Sequence, residues 1–393
     1  MTYDLSNYAD VQKIINDRSY AKRKYLIVKK MGNLFVIKYN KKELTNINCL
    51  TLGSFRSVIC DNKGNVLSMA PPKSVDFDIF SQTVPYDNCI FQDFVEGTMI
   101  NVFWDLTSND WNIATRSNIG ARCKFNQDCE LTFRHMFLDA MNEIGLEFKH
   151  LCKEICYSFV LQHPKNRIVI PIMKPNLYLA RCYDCSGNIV EEWPMPPLSG
   201  EEKPKYETIQ QQERIGESWQ DLIEHFSSDN LDYTNQGIVI IDKKTGWRTK
   251  FRSKNYEKVK HLKGNSPKMQ YHYYHLRQQG LVKSFLQYYP EYKKLFFDMR
   301  ANLHDWSNQL YKNYRECFIH KQKSLKNYPY NFKTHMYALH ELYLYDLKSM
   351  GQYINKNEII KYVNNLPPPR LMYAVNYNLR KYGQREAVVN QLT

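Results

Sequence analysis

The strongest constraint on this chain is a change of period along its length. From about residue 20 to residue 265, turn signals cut the sequence into short apolar segments. Beyond residue 265 those segments vanish and long amphipathic stretches replace them. Alternation of period two fits a half-buried strand, whereas apolar residues three or four apart fit a helix. KYLIVKKMGNLFVIKYN predicts a hairpin turning at Gly32-Asn33, and SFRSVICDNKGNVLSMAP repeats the theme around Asn62 to Asn65. CIFQDFVEGTMINVFWD predicts a strand, a turn at Glu96-Gly97 and another strand, and DWNIATRSN a further one. Phe133, Phe137, Met141 and Ile144 stand at helical spacing. Strands are predicted again for ICYSFVLQ, NRIVIPI and NLYLARCYD. The Pro- and charge-rich stretch 195–207 reads as a loop, followed by a short helix and two strands, QGIVIID and WRTKFRS, around a Gly turn. Helices are predicted over 292–321 and 334–348, with Pro290, Pro329 and Pro367 to Pro369 between the segments.

A length of 393 residues fits two domains, placed here at 1–265 and 266–393. With 43% hydrophobic and 24% charged residues, a folded globular chain is expected rather than a disordered one. No run of 18 apolar residues offers a membrane span. Residues 1–13 are polar and hold no signal-peptide core, so a soluble, cytoplasmic protein is expected. The ten cysteines are scattered and read as free thiols of a reducing compartment. Cys182 and Cys185 have CxxC spacing, and with Cys152 and Cys156 they leave a four-cysteine zinc site as an alternative.

The formal charge of +14 is unevenly spread. Residues 266–393 hold 19 Lys/Arg and 8 Asp/Glu, 19 − 8 = +11, which leaves +3 for the other 265 residues. Residues 248–263 alone hold seven basic side chains and one acidic. A concentrated positive field attracts polyanions, and nucleic acid is the commonest of them. Arg248, Lys254, Lys258, Lys260 and Lys263 are the predicted nucleic-acid contacts. The last third also carries 18 of the 30 tyrosines, which either stack on unpaired bases or fill a helical core with the hydroxyl at its rim. His335 and His340 have no carboxylate or cysteine at metal-ligand spacing and are expected to be structural.

Four segments, in order, carry a family resemblance. FRSVICDNKGNVLSMAPPKSVDF contains Arg56 and Lys73. QDFVEGTMINVFWD contains Phe94, Glu96 and Gly97, and TRSNIG follows with Arg116. YSFVLQHPKNRIVIP contains Gln162, then Pro164, Asn166 and Arg167. NQGIVIID and WRTKFRS contain Gln236, Lys250 and Arg252. Together they resemble the phage-type RNA ligases of the covalent nucleotidyltransferase superfamily over about residues 50–265. The resemblance implies an α+β fold: an ATP-grasp-like ligase core of antiparallel sheets with helices, here followed by a C-terminal all-α domain. It also implies nucleotide contacts at Arg56, Lys73, Phe94, Glu96, Gly97, Arg116, Gln162, Arg167, Gln236, Lys250 and Arg252.

The departures matter as much as the matches. Phe94 stands where the family has the lysine that attacks the ATP α-phosphate, and Gln162 and Gln236 stand where it has glutamates. No lysine occurs in the nine residues before Phe94 or the twenty after it. A phenyl ring is no nucleophile, and a neutral amide lacks the anionic oxygens that Mg²⁺ prefers. The sequence therefore predicts a pseudoenzyme that binds RNA, DNA or a nucleotide, with no catalytic residue, metal or cofactor. One alternative is an active enzyme using ATP and Mg²⁺ with Lys73 or Lys250 as relocated nucleophile. Another is a structural component of a viral assembly, with viral or host protein partners, since the Tyr-, Asn- and Lys-rich composition is similar to that of large DNA virus proteins.

Overall fold

Gly32 and Asn33 turn the chain between β1 (Leu26–Met31) and β2 (Leu34–Tyr39), which pair antiparallel. Gly32 has φ of 63°, a conformation open to glycine at little cost. β3 (Val58–Cys60) and β4 (Val66–Met69) extend this hairpin to a four-stranded sheet in the order β1-β2-β3-β4. The computed structural model describes residues 5–125, 129–184, 188–190, 207–264, 266 and 268–379. The chain divides into two units, Met1–Lys263 and Gly264–Thr393.

The first unit is mixed α/β and contains two further sheets. One is formed by β6 (Thr98–Asp105), β7 (Asp110–Thr115), β8 (Asn118–Ile119), β9 (Ile155–Gln162), β10 (Asn176–Asp184) and β11 (Ile189–Val190). Their order is β11-β10-β9-β6-β7-β8, and β12 (Glu207–Thr208) adds to β10 in parallel. The other is β13 (Gln211–Gln212), β5 (Cys89–Asp93), β14 (Gly237–Asp242) and β15 (Arg248–Arg252), in the order β13-β5-β14-β15. The continuous apolar run of β9 follows from burial on both faces. Helices α1 (Val11–Asn16) and α2 (Arg18–Arg23) pack with the first sheet in a core that includes Cys156 and Tyr183. Tyr157, Phe159 and Leu161 pack instead with Phe133, Phe137 and Met141 of α4 (Phe133–Glu143). Helices α3 (Phe77–Thr83) and α5 (Trp219–Ser227) cover the β5–β14 sheet through Phe80, Leu222 and Phe226. Helix α6 (Lys254–Lys263) follows β15 and buries Tyr256 and Val259.

Two sequence expectations change. NRIVIPI is not a strand: Asn166 closes a 3-10 turn, and residues 167–172 are irregular. The backbone N–H groups of Val169 and Ile170 donate to the Glu96 carboxylate at 3.0 and 3.1 Å instead of to a neighbouring strand. The segment around Glu96-Gly97 does not return a hairpin either, because β5 and β6 belong to different sheets. Part of the 195–207 loop, and Cys185 of the CxxC pair, lie outside the described residues. Cys182 and Cys156 are buried thiols, and burial pushes the Cys182 pKa up. Among the described residues, no three His, Cys, Asp or Glu side chains gather to hold a metal ion.

The second unit is helical: α7 (Met269–Gln278), α8 (Val282–Tyr288), α9 (Lys293–Tyr314), α10 (Tyr330–Leu342), α11 (Lys356–Asn365) and α12 (Pro368–Val375). Its core is strongly aromatic, with Phe285 stacked on Phe296 at 5.1 Å and Tyr273, Tyr274, Tyr289 and Tyr314 buried. Both α9 and α10 end in a π-helical turn, Arg315–Ile319 and Tyr343–Leu347. His335 is buried, with Nδ1 2.8 Å from the Tyr362 hydroxyl and its ring edge-on to Trp306. Among the described residues, no helix is long and apolar enough to cross a membrane.

Two consequences can be measured. A Cβ on Gly237 would overlap the Phe251 carbonyl and come within 2.7 Å of the Arg252 Cα. Gly237→Ala is expected to lower stability by roughly 1–3 kcal/mol in urea unfolding, since strand backbone must shift to admit it. Burial, assisted by Arg370, pushes the His335 pKa down from 6.5 to about 4. The unfolded chain thus takes up this proton first, and the stability held by neutral His335 is lost as pH falls from 6.5 toward 4. His335→Leu should flatten the fall of the melting temperature in that window.

Candidate functional site

The segment RTKFR of β15 alternates strictly, so Arg248, Lys250 and Arg252 project to one side of the strand and Thr249 and Phe251 to the other. Phe251 packs on Phe77 and Phe226, and Thr249 is buried with its hydroxyl donating to the Val75 carbonyl. That apolar anchoring fixes the register, and the cationic side faces a cavity. The cavity measures about 380 Å³, within the range of roughly 300–1,000 Å³ common for small-molecule sites. Arg56, Lys73, Arg116, Arg248 and Lys250 line it, together with Phe94, Gly97 and Tyr39. With Lys41, which also lines it, the six cations come from five places in the chain: the turn after β2, the approach to β3, the loop after β4, the end of β7 and β15.

Backbone carbonyls hold most of these cations. Arg56 Nη1 donates to the Pro71 carbonyl at 3.3 Å, Arg116 Nε to that of Arg56 at 3.2 Å, and Arg248 Nη2 to that of Pro72 at 2.8 Å. Lys73 Nζ donates to the Ser74 carbonyl at 2.9 Å. Among the described residues, no carboxylate pairs with Arg56, Lys73, Arg116 or Lys250. A carbonyl orients a guanidinium without cancelling its charge, so the cluster repels itself. Lys250 reports that repulsion: burial first, then Arg252, Lys73, Arg56 and Arg248, push its pKa from 10.5 to about 7. Burial likewise lowers the Arg56 pKa. Arg116 stacks over Tyr39 at 4.5 Å, and its Nη2 is buried without a hydrogen-bond partner among the described residues. Phe94 is flanked by Lys250 Nζ at 5.7 Å and Arg252 Cζ at 5.4 Å from its ring centre.

A second, polar cavity of about 690 Å³ shares Asp93, Phe94 and Val95 with the first. Gln162 and Gln236 line this one, not the basic cavity. Gln162 Nε2 donates to the Glu96 backbone carbonyl at 2.8 Å, and the Gln236 Oε1 is buried without a partner among the described residues. Glu96 is committed elsewhere. Its carboxylate accepts from Val169, Ile170 and the Tyr256 hydroxyl, the last at 2.7 Å. Burial raises its pKa against these bonds. It therefore braces the wall of the polar cavity that it also lines, with its carboxylate engaged by internal donors.

The other expected contacts fall away from the basic cavity. Arg167 lines neither cavity, and its Nε donates to the Val169 carbonyl at 3.0 Å. Arg252 pairs with Glu257 at 2.8 Å. Of the basic run, Lys254 pairs with Asp229 and Lys260 with Glu257, which spends part of their charge. Lys258 is exposed on α6 and Lys263 half-buried at its end. The sequence reading missed Tyr39, Asp93 and Tyr256. Tyr39 ends a strand and Tyr256 lies 160 residues from Glu96, and neither carries a local signal.

No family model matches the sequence, and no curated protein matches it. Similar solved structures are ATP-dependent DNA and RNA ligases. A putative ATP-dependent DNA ligase from Aquifex aeolicus aligns with a TM-score of 0.36 at 11% identity, covering 84% of this chain and 79% of that one. An archaeal ATP-dependent RNA ligase aligns in two forms. Form 2 has a TM-score of 0.36 at 10% identity, covering 93% of this chain and 78% of that one. Form 1 has 0.35 at 9%, covering 93% and 76%. Likeness this distant gives no warrant for activity, which has to come from the chemistry of the cavity.

The lysine makes the cavity testable without a ligand. Below its folded pKa Lys250 carries a charge that the site disfavours; that cost is relieved as pH rises from about 7 toward the unfolded value of 10.5. Lys250→Met should therefore raise the melting temperature of the unliganded protein more at pH 6 than at pH 9.

Proposed function

We propose that the first unit binds the phosphates of a nucleotide or of an RNA end in the basic cavity and forms no covalent lysyl–nucleotide intermediate. One observation carries this reading: Arg56, Lys73, Arg116, Arg248 and Lys250 converge on one cavity, and among the described residues backbone carbonyls rather than acids position Arg56, Arg116 and Lys73. An anionic chain would supply the counter-charge the cluster lacks, with charge-assisted hydrogen bonds from the guanidinium groups. Phe94 offers a flat apolar wall for a base or sugar beside those cations. The non-covalent half of the reading rests on Phe94 itself and on the wall's composition. Asp93 is the single carboxylate among the described residues lining the cavity. Gln162 and Gln236 add neutral amides next door. Such a wall favours electrostatic capture over the metal-assisted expulsion of pyrophosphate.

The depressed pKa of Lys250 favours a second reading. An amine half neutral at pH 7 is a competent nucleophile. Lys250 Nζ would attack the α-phosphorus of ATP, forming a P–N bond as the P–O bond to pyrophosphate breaks and the amine proton passes to solvent. That route calls for ATP and Mg²⁺.

The two readings separate in one assay. With ATP or GTP labelled at the α-phosphate and Mg²⁺, the binding reading expects nucleotide retained under native conditions and no label on the chain after denaturation. Affinity should fall steeply with salt. Arg56→Ala is expected to weaken binding by about tenfold or more, as loss of a charge-assisted contact does. A labelled band that vanishes in Lys250→Met would establish the second reading instead.

A further inference from the structure

The helical unit exposes tyrosines that its core does not use. Tyr273, Tyr274, Tyr289, Tyr314 and Tyr328 are buried. On α10 and the π-helical turn after it, Tyr330, Tyr337 and Tyr345 are 58%, 64% and 76% exposed. Tyr330 and Tyr337 are seven residues apart, two helical turns, or roughly 10.5 Å at 1.5 Å per residue. They lie on one face, opposite the buried His335, Met336 and Leu339. The π turn Tyr343–Leu347 widens the helix and leaves Leu344 and Tyr345 both outward while Leu347 is buried.

The surroundings of this stripe are basic. Residues 321–353 contain Lys321, Lys323, Lys326, Lys333 and Lys348 against Glu341 and Asp346, 5 − 2 = +3. Lys321, Lys323 and Lys326 are exposed just before Tyr330, and Lys348 is exposed just after Tyr345. A protein-binding face buries aromatics but is depleted in lysine. Aromatic rings interleaved with exposed ammonium groups fit a strand with accessible π-faces and a charged backbone. The ring spacing is about three times the 3.4 Å step of stacked bases, so each ring takes its own splayed base, which a duplex does not offer.

We infer that the face of Tyr330, Tyr337 and Tyr345 is a stacking platform for single-stranded nucleic acid, with Lys321, Lys323, Lys326 and Lys348 on its phosphates. The platform belongs to the second unit alone and stands independently of the basic cavity.

The test uses the full chain and a labelled oligouridylate of about 12 nucleotides with a 5′-hydroxyl, followed by fluorescence anisotropy at low salt. The combined Tyr330→Ala, Tyr337→Ala and Tyr345→Ala variant should bind it at least about tenfold more weakly. All three side chains are exposed, so its circular dichroism should match wild type. Phenylalanine at the same three positions should keep most of the affinity, because stacking survives. A duplex of equal length should bind more weakly than the strand and respond little to the alanines. Lys250→Met, which removes one cation of the basic cavity, should leave oligouridylate binding intact. Four results would overturn the inference: unchanged binding by the alanine variant, an equal loss with phenylalanine, a duplex bound as tightly as the strand, or loss of the oligonucleotide in Lys250→Met.

Discussion

The first unit is organised around a repulsion that its own backbone maintains. Arg56, Arg116 and Arg248 are aimed by the carbonyls of Pro71, Arg56 and Pro72, and these contacts fix direction without neutralising charge. Had carboxylates held Arg56 and Arg116, the cluster would be a structural salt-bridge network with little left for a ligand. Instead burial first and the neighbouring cations second bear on Lys250, and its pKa drops to about 7. Sheet packing keeps the groups together: Phe251 and Thr249 lock β15 inward and leave Arg248, Lys250 and Arg252 on the opposite side.

Glu96 shows how the same region is stiffened. Its carboxylate gathers backbone N–H groups from the irregular 167–172 segment and the hydroxyl of Tyr256 on α6. Three distant parts of the chain are thereby joined behind the wall that carries Phe94. A residue singled out in the sequence as a ligand contact also serves as a clamp in the fold. Its burial also explains why NRIVIPI gives up a strand: the amide groups a ladder would use are already donated to an acid.

Much of this arrangement was legible in residue order. Gly32-Asn33 announced the first hairpin, and the alternation of RTKFR announced a strand with a cationic side. Loss of period two after residue 265 announced helices. Arg56, Lys73, Phe94, Gly97, Arg116, Arg248 and Lys250 were all named from sequence and line one cavity. What stayed hidden depends on long-range partners. The Glu96-Gly97 segment reads as a turn, yet it carries the chain from one sheet to another, because β5 finds β14 across more than a hundred residues. Arg167 and the glutamines stand at motif positions, but only tertiary packing decides which cavity a side chain enters. In the helical unit, spacing alone cannot separate the buried tyrosines from Tyr337, since both sets sit on amphipathic helices.

The most direct measurement is calorimetric titration of the full chain with inorganic triphosphate near pH 7.5, repeated in two buffers of different ionisation enthalpy. An anion seated in the cavity would stabilise the charged form of Lys250, so the account predicts saturable binding with uptake of a proton, and loss of that uptake in Lys250→Met. Saturable binding with no proton exchange, or no binding at low salt, would contradict it.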